Sequence, residues 1–375
     1  GVPPNLPQIR AAADAGATVI GEMEFAATRC RSRMLAVTGT NGKTTTTELL
    51  RACIGACGNS VDLCGNNARP LSEAVMADPA PLYLVVEVSS YQLETIRAFR
   101  PWIATVLNVT PDHITRHPTI EEYAAVKARI FENQGAGDVA VVNADDALTA
   151  RMAQGGVQRR VPFSLTQQLE DGVHLEGSHI VCDKHLLAYV DDVRIPGKHN
   201  LSNVFAALAM LWAGRFPMDK VRRGLHGFAG VEHRIETVLT HNHVTWINDS
   251  KATNLDNMKV ALESMKRPVV LIAGGRGKGD NYRKLRPSMK AMVRAIIAIG
   301  EDALKIGEAW GDLTPVRLAS GMADAVARAA AVAQRGDVVL LSPGCASFDQ
   351  FDDFEHRGRV FKECVREIAG AGVTA

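Results

Sequence analysis

The chain has 375 residues, with 42 Lys and Arg against 41 Asp and Glu, a formal net charge of +1 and 46% hydrophobic residues. That balance describes a globular protein with room for two or three domains and excludes a dedicated nucleic-acid surface, which carries a basic excess. No apolar run reaches the roughly 20 residues needed to span a bilayer, so no membrane insertion is expected. The chain opens on a turn-rich stretch, Gly1 to Asn5; Leu6 to Ala15 then predicts a short amphipathic helix stopped by Gly16, and Thr18 to Gly21 a strand. One helix and one strand cannot close a core, so residues 1–25 read as the last piece of a domain whose beginning is absent.

Residues 26–230 alternate strands and helices. Met34–Thr38, Tyr83–Val88, Ile103–Asn108 and Val139–Asn143 are near-continuously apolar, the pattern of a parallel sheet covered on both faces. Helical stretches include Glu48 to Cys57, Glu121–Phe131 and Asn203–Gly214. Between Val161 and Arg194 short β-like pieces predict a small antiparallel sheet. Residues 231–375 repeat the α/β pattern, with strands at Val244–Asn248, Pro268–Ala273, Ala295–Ile299 and Val338–Ser342 and a helix at Ala323–Ala333. The expected fold is a central, doubly wound, mostly parallel sheet followed by a Rossmann-like α/β domain, with ligands at the carboxyl ends of strands. Seven cysteines, an odd number without paired C-x-x-C spacing, make no disulfide framework, and the closest group, Cys53, Cys57 and Cys64, reads as buried small apolar side chains in a reducing cytoplasm.

The chemistry follows the strand ends. Met34–Thr38 runs into Gly39-Thr40-Asn41-Gly42-Lys43-Thr44-Thr45, in the order a nucleotide triphosphate needs. The glycines let backbone N–H groups approach phosphate, the helix start adds partial positive charge, Lys43 neutralises oxygens and Thr44 offers magnesium a hydroxyl. The loop is shorter than the common form, with two residues between its glycines. Glu87 sits inside an apolar strand, where a carboxylate is expensive unless paired or bound to metal; a bond to a helix end is the alternative. His113, in the turn Asn108-Val109-Thr110-Pro111-Asp112-His113, can serve a second cation, a substrate oxygen or only solvent. Lys127 lies on an otherwise apolar helix face and by itself reads as a snorkelling surface lysine.

Taken in order, Gly39 to Thr44, Glu87-Val88-Ser89-Ser90-Tyr91-Gln92-Leu93-Glu94, Asn108 to His113 and Lys127 resemble the signature of the Mur ligases, ATP-dependent amide ligases of peptidoglycan synthesis. Gly197-Lys198-His199-Asn200, His233-Arg234, Asn248 to Asn254, Gly274 to Lys278 and Ser342 to Phe351 resemble, more narrowly, the branch that adds D-glutamate to UDP-N-acetylmuramoyl-L-alanine. The resemblance implies an acyl phosphate, formed by ATP on the alanine carboxylate and attacked by the glutamate amine. It implies one Mg2+ held by Thr44 and Glu87 and a second by His113 and Lys127, with Lys127 carrying a carbamate. Lys43, His113 and Lys127 would be the catalytic residues.

Further roles carry over by position. Asn66 and His113 would meet the acyl substrate. Asn200 and Asn203 would lie on the adenine side, Arg234 on phosphate and Asp249 on ribose. Lys251, Thr253, Lys278, Ser347, Phe348 and Phe354 would form the glutamate pocket. A cytoplasmic monomer acting on small molecules is implied. Two positions depart from the family pattern: Asn67, where relatives often have isoleucine, and Thr115, where aspartate is usual, which puts the support of His113 or Lys127 in question. A folylpolyglutamate-type ligase, and a non-catalytic nucleotide-binding remnant lacking most of the UDP-binding domain, are the competing readings.

Overall fold

A buried strand must satisfy its backbone on both sides, and the apolar runs of this chain do so in two separate sheets. The computed structural model describes residues 6–66, 69–111 and 116–371. It divides into two units, Gly1–Gly230 and Val231–Ala375.

The first unit begins with α1 (Pro7–Asp14), α2 (Glu22–Ala27), β1 (Arg33–Thr38) and α3 (Lys43–Ala56). β2 (Val61–Gly65), α4 (Leu71–Val75), β3 (Tyr83–Glu87), α5 (Ser90–Leu93), β4 (Ile103–Val106) and α6 (Ile120–Ala128) follow. β5 (Val139–Asn143) and β6 (Arg159–Phe163) complete a six-stranded sheet of order β2-β3-β1-β4-β5-β6, parallel throughout. β7 (His174–Glu176), β8 (His179–Cys182) and β9 (His185–Tyr189) form the small antiparallel sheet that the sequence predicts. α7 (Lys198–Ala213) and α8 (Met218–Gly227) then pack back on α3.

The strand order places the site. β1 lies between β3 and β4, so the chain leaves β1 to one side for β2 and β3 and to the other for β4 to β6. At such a reversal the loops beyond neighbouring strand ends diverge and open a crevice. The sheet is covered on both faces: Met34, Ala36, Leu84, Val86, Ala104 and Val106 belong to one buried cluster, and α3 and α7 contact the strands as well.

In the second unit β10 (Glu236–His241) pairs antiparallel with β11 (Val244–Asn248). α9 (Leu255–Ser264), β12 (Val269–Gly274), α10 (Arg286–Met292), β13 (Val293–Ile299), α11 (Ala303–Trp310), β14 (Val316–Leu318), α12 (Met322–Val332), β15 (Val338–Leu341) and α13 (Phe354–Ala371) follow. The sheet order is β10-β11-β15-β12-β13-β14, parallel beyond β10. Alternate residues of β12 feed two cores: Leu271 and Ala273 one side, Val270 and Ile272 the other.

One expected strand fails. Residues 18–21 form no strand: the segment joins none of the described sheets, and the edges of the first sheet are β2 and β6. A lone extended segment gains no ladder bonds, whatever the propensity of Val19 and Ile20. All seven cysteines are free thiols.

Candidate active site

The phosphate loop is built from backbone freedom and close packing. Gly42 takes a left-handed φ of 86° at the start of α3, and a Cβ there would overlap the Asn203 side chain on α7. Only glycine satisfies both demands. The loop is strapped to the segment after β4. Thr40 N–H donates to Asn108 O at 3.0 Å, and Asn41 N–H to Asn108 Oδ1 at 2.9 Å, while Asn108 Nδ2 donates to Asn41 O at 3.1 Å. Thr40 Oγ1 donates to Thr110 O at 3.1 Å and accepts from Thr110 N–H at 3.0 Å. Among the described residues no side chain caps α3, so the N–H groups of its first turn are available to an anion.

Cations and oxygen donors gather around this loop. Lys43 Nζ donates to Gly39 O at 2.9 Å and Thr40 O at 2.8 Å. Lys127 is 1% exposed, which overturns its reading as a snorkelling surface residue. Its Nζ lies 3.0 Å from Gly39 O and 4.2 Å from the Tyr123 ring centroid. Glu87, at the end of β3, is buried and accepts from Thr44 Oγ1 at 2.9 Å and Asn66 Nδ2 at 3.1 Å. Burying a carboxylate is tolerable when its oxygens are bonded in this way. Asn66 N–H also donates to Glu87 O at 2.8 Å, so the ends of β2 and β3 are tied together. Asn203 is buried, and its Nδ2 reaches Asn200 Oδ1 at 3.5 Å.

His113, Thr115 and Asn67 lie outside the described residues. The flank after residue 115 is anchored on α5 and its neighbour: Arg116 pairs with Glu94 and His117 Nε2 lies 3.1 Å from Ser90 Oγ. α5 itself is fixed by a capping box between Ser89 and Gln92.

The second unit carries its own group of polar residues at the carboxyl ends of β11, β12 and β15. Asp249 is buried and accepts from Ser342 Oγ at 2.8 Å and Ile235 N–H at 3.2 Å. Burial pushes its carboxyl up to about 7, against the opposing pull of the Ser342 hydrogen bond and the nearby Arg234 charge. Lys251 Nζ stands 5.5 Å from the Phe354 ring centroid, and the His233 ring meets Phe354 edge-on. Thr253 is half-buried, Ser347 is buried, Lys278 is exposed and Phe348 is 64% exposed.

Sequence reasoning missed the residue that joins these loops. Arg357 on α13 is fully buried and donates to Ser250 Oγ at 3.0 Å, Ser250 O at 2.8 Å and Cys345 O at 3.1 Å. An arginine on an amphipathic helix gives no sequence signal of burial.

Two cavities, of about 450 and 390 Å³, lie elsewhere. The larger is lined by Arg33, Trp102 and Asp138 at the amino ends of β1, β4 and β5, and neither touches the phosphate loop. No helix among the described residues is long and apolar enough to cross a membrane.

A phosphate loop at the reversal point of a parallel sheet, with a buried acid on the next strand, defines a nucleotide-binding α/β protein. Residues 37–211 match the Mur ligase middle domain, and residues 233–345 the Mur ligase, glutamate ligase domain. The chain is 43% identical over 374 residues to UDP-N-acetylmuramoylalanine--D-glutamate ligase of Pelotomaculum thermopropionicum, covering 98% of this chain and 82% of that protein. It is also 43% identical over 382 residues to the enzyme of that name from Myxococcus xanthus, covering 98% and 83%. The chain belongs to the Mur ligase family. Solved structures share its fold: UDP-N-acetylmuramoyl-L-alanyl-D-glutamate--2,6-diaminopimelate ligase, with a TM-score of 0.64 at 22% identity over 98% of this chain and 82% of that one, and MurF from Acinetobacter baumannii, with 0.64 at 18% over 92% and 78%.

Proposed function

We propose that this chain joins D-glutamate to UDP-N-acetylmuramoyl-L-alanine at the expense of ATP, as an enzyme of peptidoglycan precursor synthesis. Its similarity to ligases named for that reaction supports the reading, and the Thr44–Glu87 pair beside Lys43 is the observation that carries its chemistry. The alanine carboxylate attacks the γ-phosphorus of ATP, giving an acyl phosphate and ADP. The glutamate amine then attacks the acyl carbon, the amide bond forms, phosphate leaves and the amine loses a proton. The first step brings two anions together, so positive charge must be in place beforehand. Lys43 and the first turn of α3 supply it. Asn66 orients the acyl substrate beside Glu87.

The Thr44 hydroxyl and the Glu87 carboxylate are hard oxygen donors 2.9 Å apart, a set that fits Mg2+. Mg2+ bound there would screen the β- and γ-phosphates. We assign the second Mg2+ to His113 and a carbamylated Lys127, whose buried amine would become a carboxylate donor.

Residues 26–230 would bind ATP, with Thr40, Asn41 and Thr45 around the phosphates and Asn200 and Asn203 on the adenine side. Residues 231–375 would bind glutamate and bring Arg234 and Asp249 to the nucleotide. Residues 1–25 belong with the UDP-binding part of the family architecture. The setting is a cytoplasmic enzyme working on small molecules as a monomer. A coupled phosphate-release assay tests the proposal: release must require both glutamate and the nucleotide sugar, with the D enantiomer preferred. Release with a folate as acyl donor in place of the nucleotide sugar, or ATP binding without turnover, would replace it.

A further inference from the structure

The loop after β12 and the loop after β15 hold opposite sides of the glutamate assignment: Lys278 on the first, Ser347 and Phe348 on the second. They are zipped together by backbone. Arg276 N–H donates to Ala346 O at 2.9 Å, and Ala346 N–H to Arg276 O at 3.0 Å. Beyond that bridge one buried pair, Tyr282 and Asp302, reaches both loops. Asp302 is 5% exposed. Its N–H donates to Gly275 O at 3.0 Å, and its carboxylate lies so close under Gly277 that a Cβ there would overlap Oδ2. Tyr282, 6% exposed, donates its hydroxyl to Asp302 Oδ2 at 2.7 Å and lies 3.0 Å from Cys345 Sγ on the other loop. The hydroxyl thus touches both the acid under the first loop and the second loop itself.

The pair is held from behind. Trp310 Nε1 donates to Tyr282 O at 2.8 Å, and the two rings meet edge-on with centroids 5.5 Å apart. Lys305 Nζ donates to Asp302 Oδ1 at 2.7 Å. Burial alone would raise the Asp302 carboxyl, but the bonds from Lys305 and Tyr282 outweigh it and hold the group below its usual range. Burial likewise pushes the Tyr282 phenol upward, so tyrosine donates and aspartate accepts.

We propose that Tyr282 and Asp302 are positioning residues that set the spacing between Lys278 and Ser347, and thereby the ability of the site to hold an amino acid with two carboxylates. The inference rests on the glutamate reading above. Both side chains are buried behind the loops and act through them. Loosening the pair lets the loops separate, which weakens a two-point grip far more than binding of ATP.

Tyr282→Phe keeps the ring against Trp310 and removes only the hydroxyl. It is expected to raise KM for glutamate on the order of tenfold, leave KM for ATP within about twofold, and narrow the preference for glutamate over aspartate. Asp302→Asn, which preserves shape, is expected to do the same, and decides the matter should the tyrosine variant not fold. Equal shifts in KM for both substrates, or no shift, would overturn the inference while an active wild-type enzyme leaves the glutamate reading intact. A wild-type enzyme indifferent to glutamate would overturn both.

Discussion

Lys43 and Lys127 place their ammonium groups on one acceptor, the carbonyl oxygen of Gly39, at 2.9 and 3.0 Å. One lysine opens α3 and the other comes from α6, so the loop start gathers positive charge from two elements. A triphosphate gains from that charge only if Lys43 can leave the carbonyl for its oxygens, a short rotation of a flexible side chain. Lys43→Ala should therefore lower turnover on the order of 10³-fold while circular dichroism and thermal midpoint stay at wild-type values. Unchanged phosphate release would remove Lys43 from the chemistry.

Lys127 makes a different prediction. Its amine is buried beside Tyr123 and Gly39, where a carbamate would trade a cation for an oxygen ligand. Lys127→Ala should be inactive and should recover partly when formate or acetate is added, since a small carboxylate can enter the space left by the side chain. Lys127→Arg keeps a cation and cannot be carbamylated, so it should stay inactive. An active arginine variant would mean that charge alone is needed.

Thr44→Val tests the metal assignment, because valine matches threonine in shape and deletes the hydroxyl that faces Glu87. Glu87 keeps its bond from Asn66, so the strand end should hold. The expected result is a roughly tenfold higher Mg2+ requirement for turnover, read from a Mg2+ titration at saturating ATP. A proportional fall in rate at every Mg2+ concentration would point to loop damage instead.

What the sequence revealed depended on burial. β1, β3 and β5 are nearly all apolar because helices cover both faces, and their ends located Lys43, Thr44 and Glu87. β2 begins with Val61-Asp62 and β6 contains Arg159, Arg160 and Pro162; both are edge strands, where polar residues and proline are tolerated and the apolar signal fades. Residues 18–21 show the converse, with strand-forming side chains and no ladder partner among the described residues. Short motifs led to Lys43, Thr44, Glu87 and Lys127, which gather around the loop after β1. They could not find Arg357 or the Tyr282–Asp302 pair, whose partners lie far away in sequence and whose polarity suggested surface.

Asp249 should make stability depend on pH. Its carboxyl titrates near 7 in the folded unit against 3.8 as its ordinary value. The folded state thus holds this proton more tightly than the unfolded chain, so stability falls as pH rises from about 4 to about 7 and stays lower above. At about 1.4 kcal/mol per pH unit the cost is at most about 4 kcal/mol. Asparagine keeps an acceptor for Ile235 N–H, and the Ser342 hydroxyl can turn to accept from its amide. Asp249→Asn should be more stable than wild type in urea at pH 8, with the gain shrinking below pH 5. A gain independent of pH would exclude the titration as its source.

Arg357 should be the costliest of these residues to lose. Burial lowers its guanidinium to about 10, still charged at neutral pH, and its three donors hold Ser250 and Cys345 from one helix. Methionine fills the volume but leaves two carbonyls and a hydroxyl without their donors in a dry interior. That loss should reach about 3 kcal/mol, seen as a lower urea midpoint. Lysine restores charge with a single nitrogen that cannot span the same acceptors, so Arg357→Lys should recover little. Because Ser250 precedes Lys251 and Cys345 lies two residues before Ser347, the surviving folded enzyme should lose glutamate affinity more than ATP affinity. A methionine variant with wild-type midpoint and glutamate KM would show that the loops hold without the guanidinium.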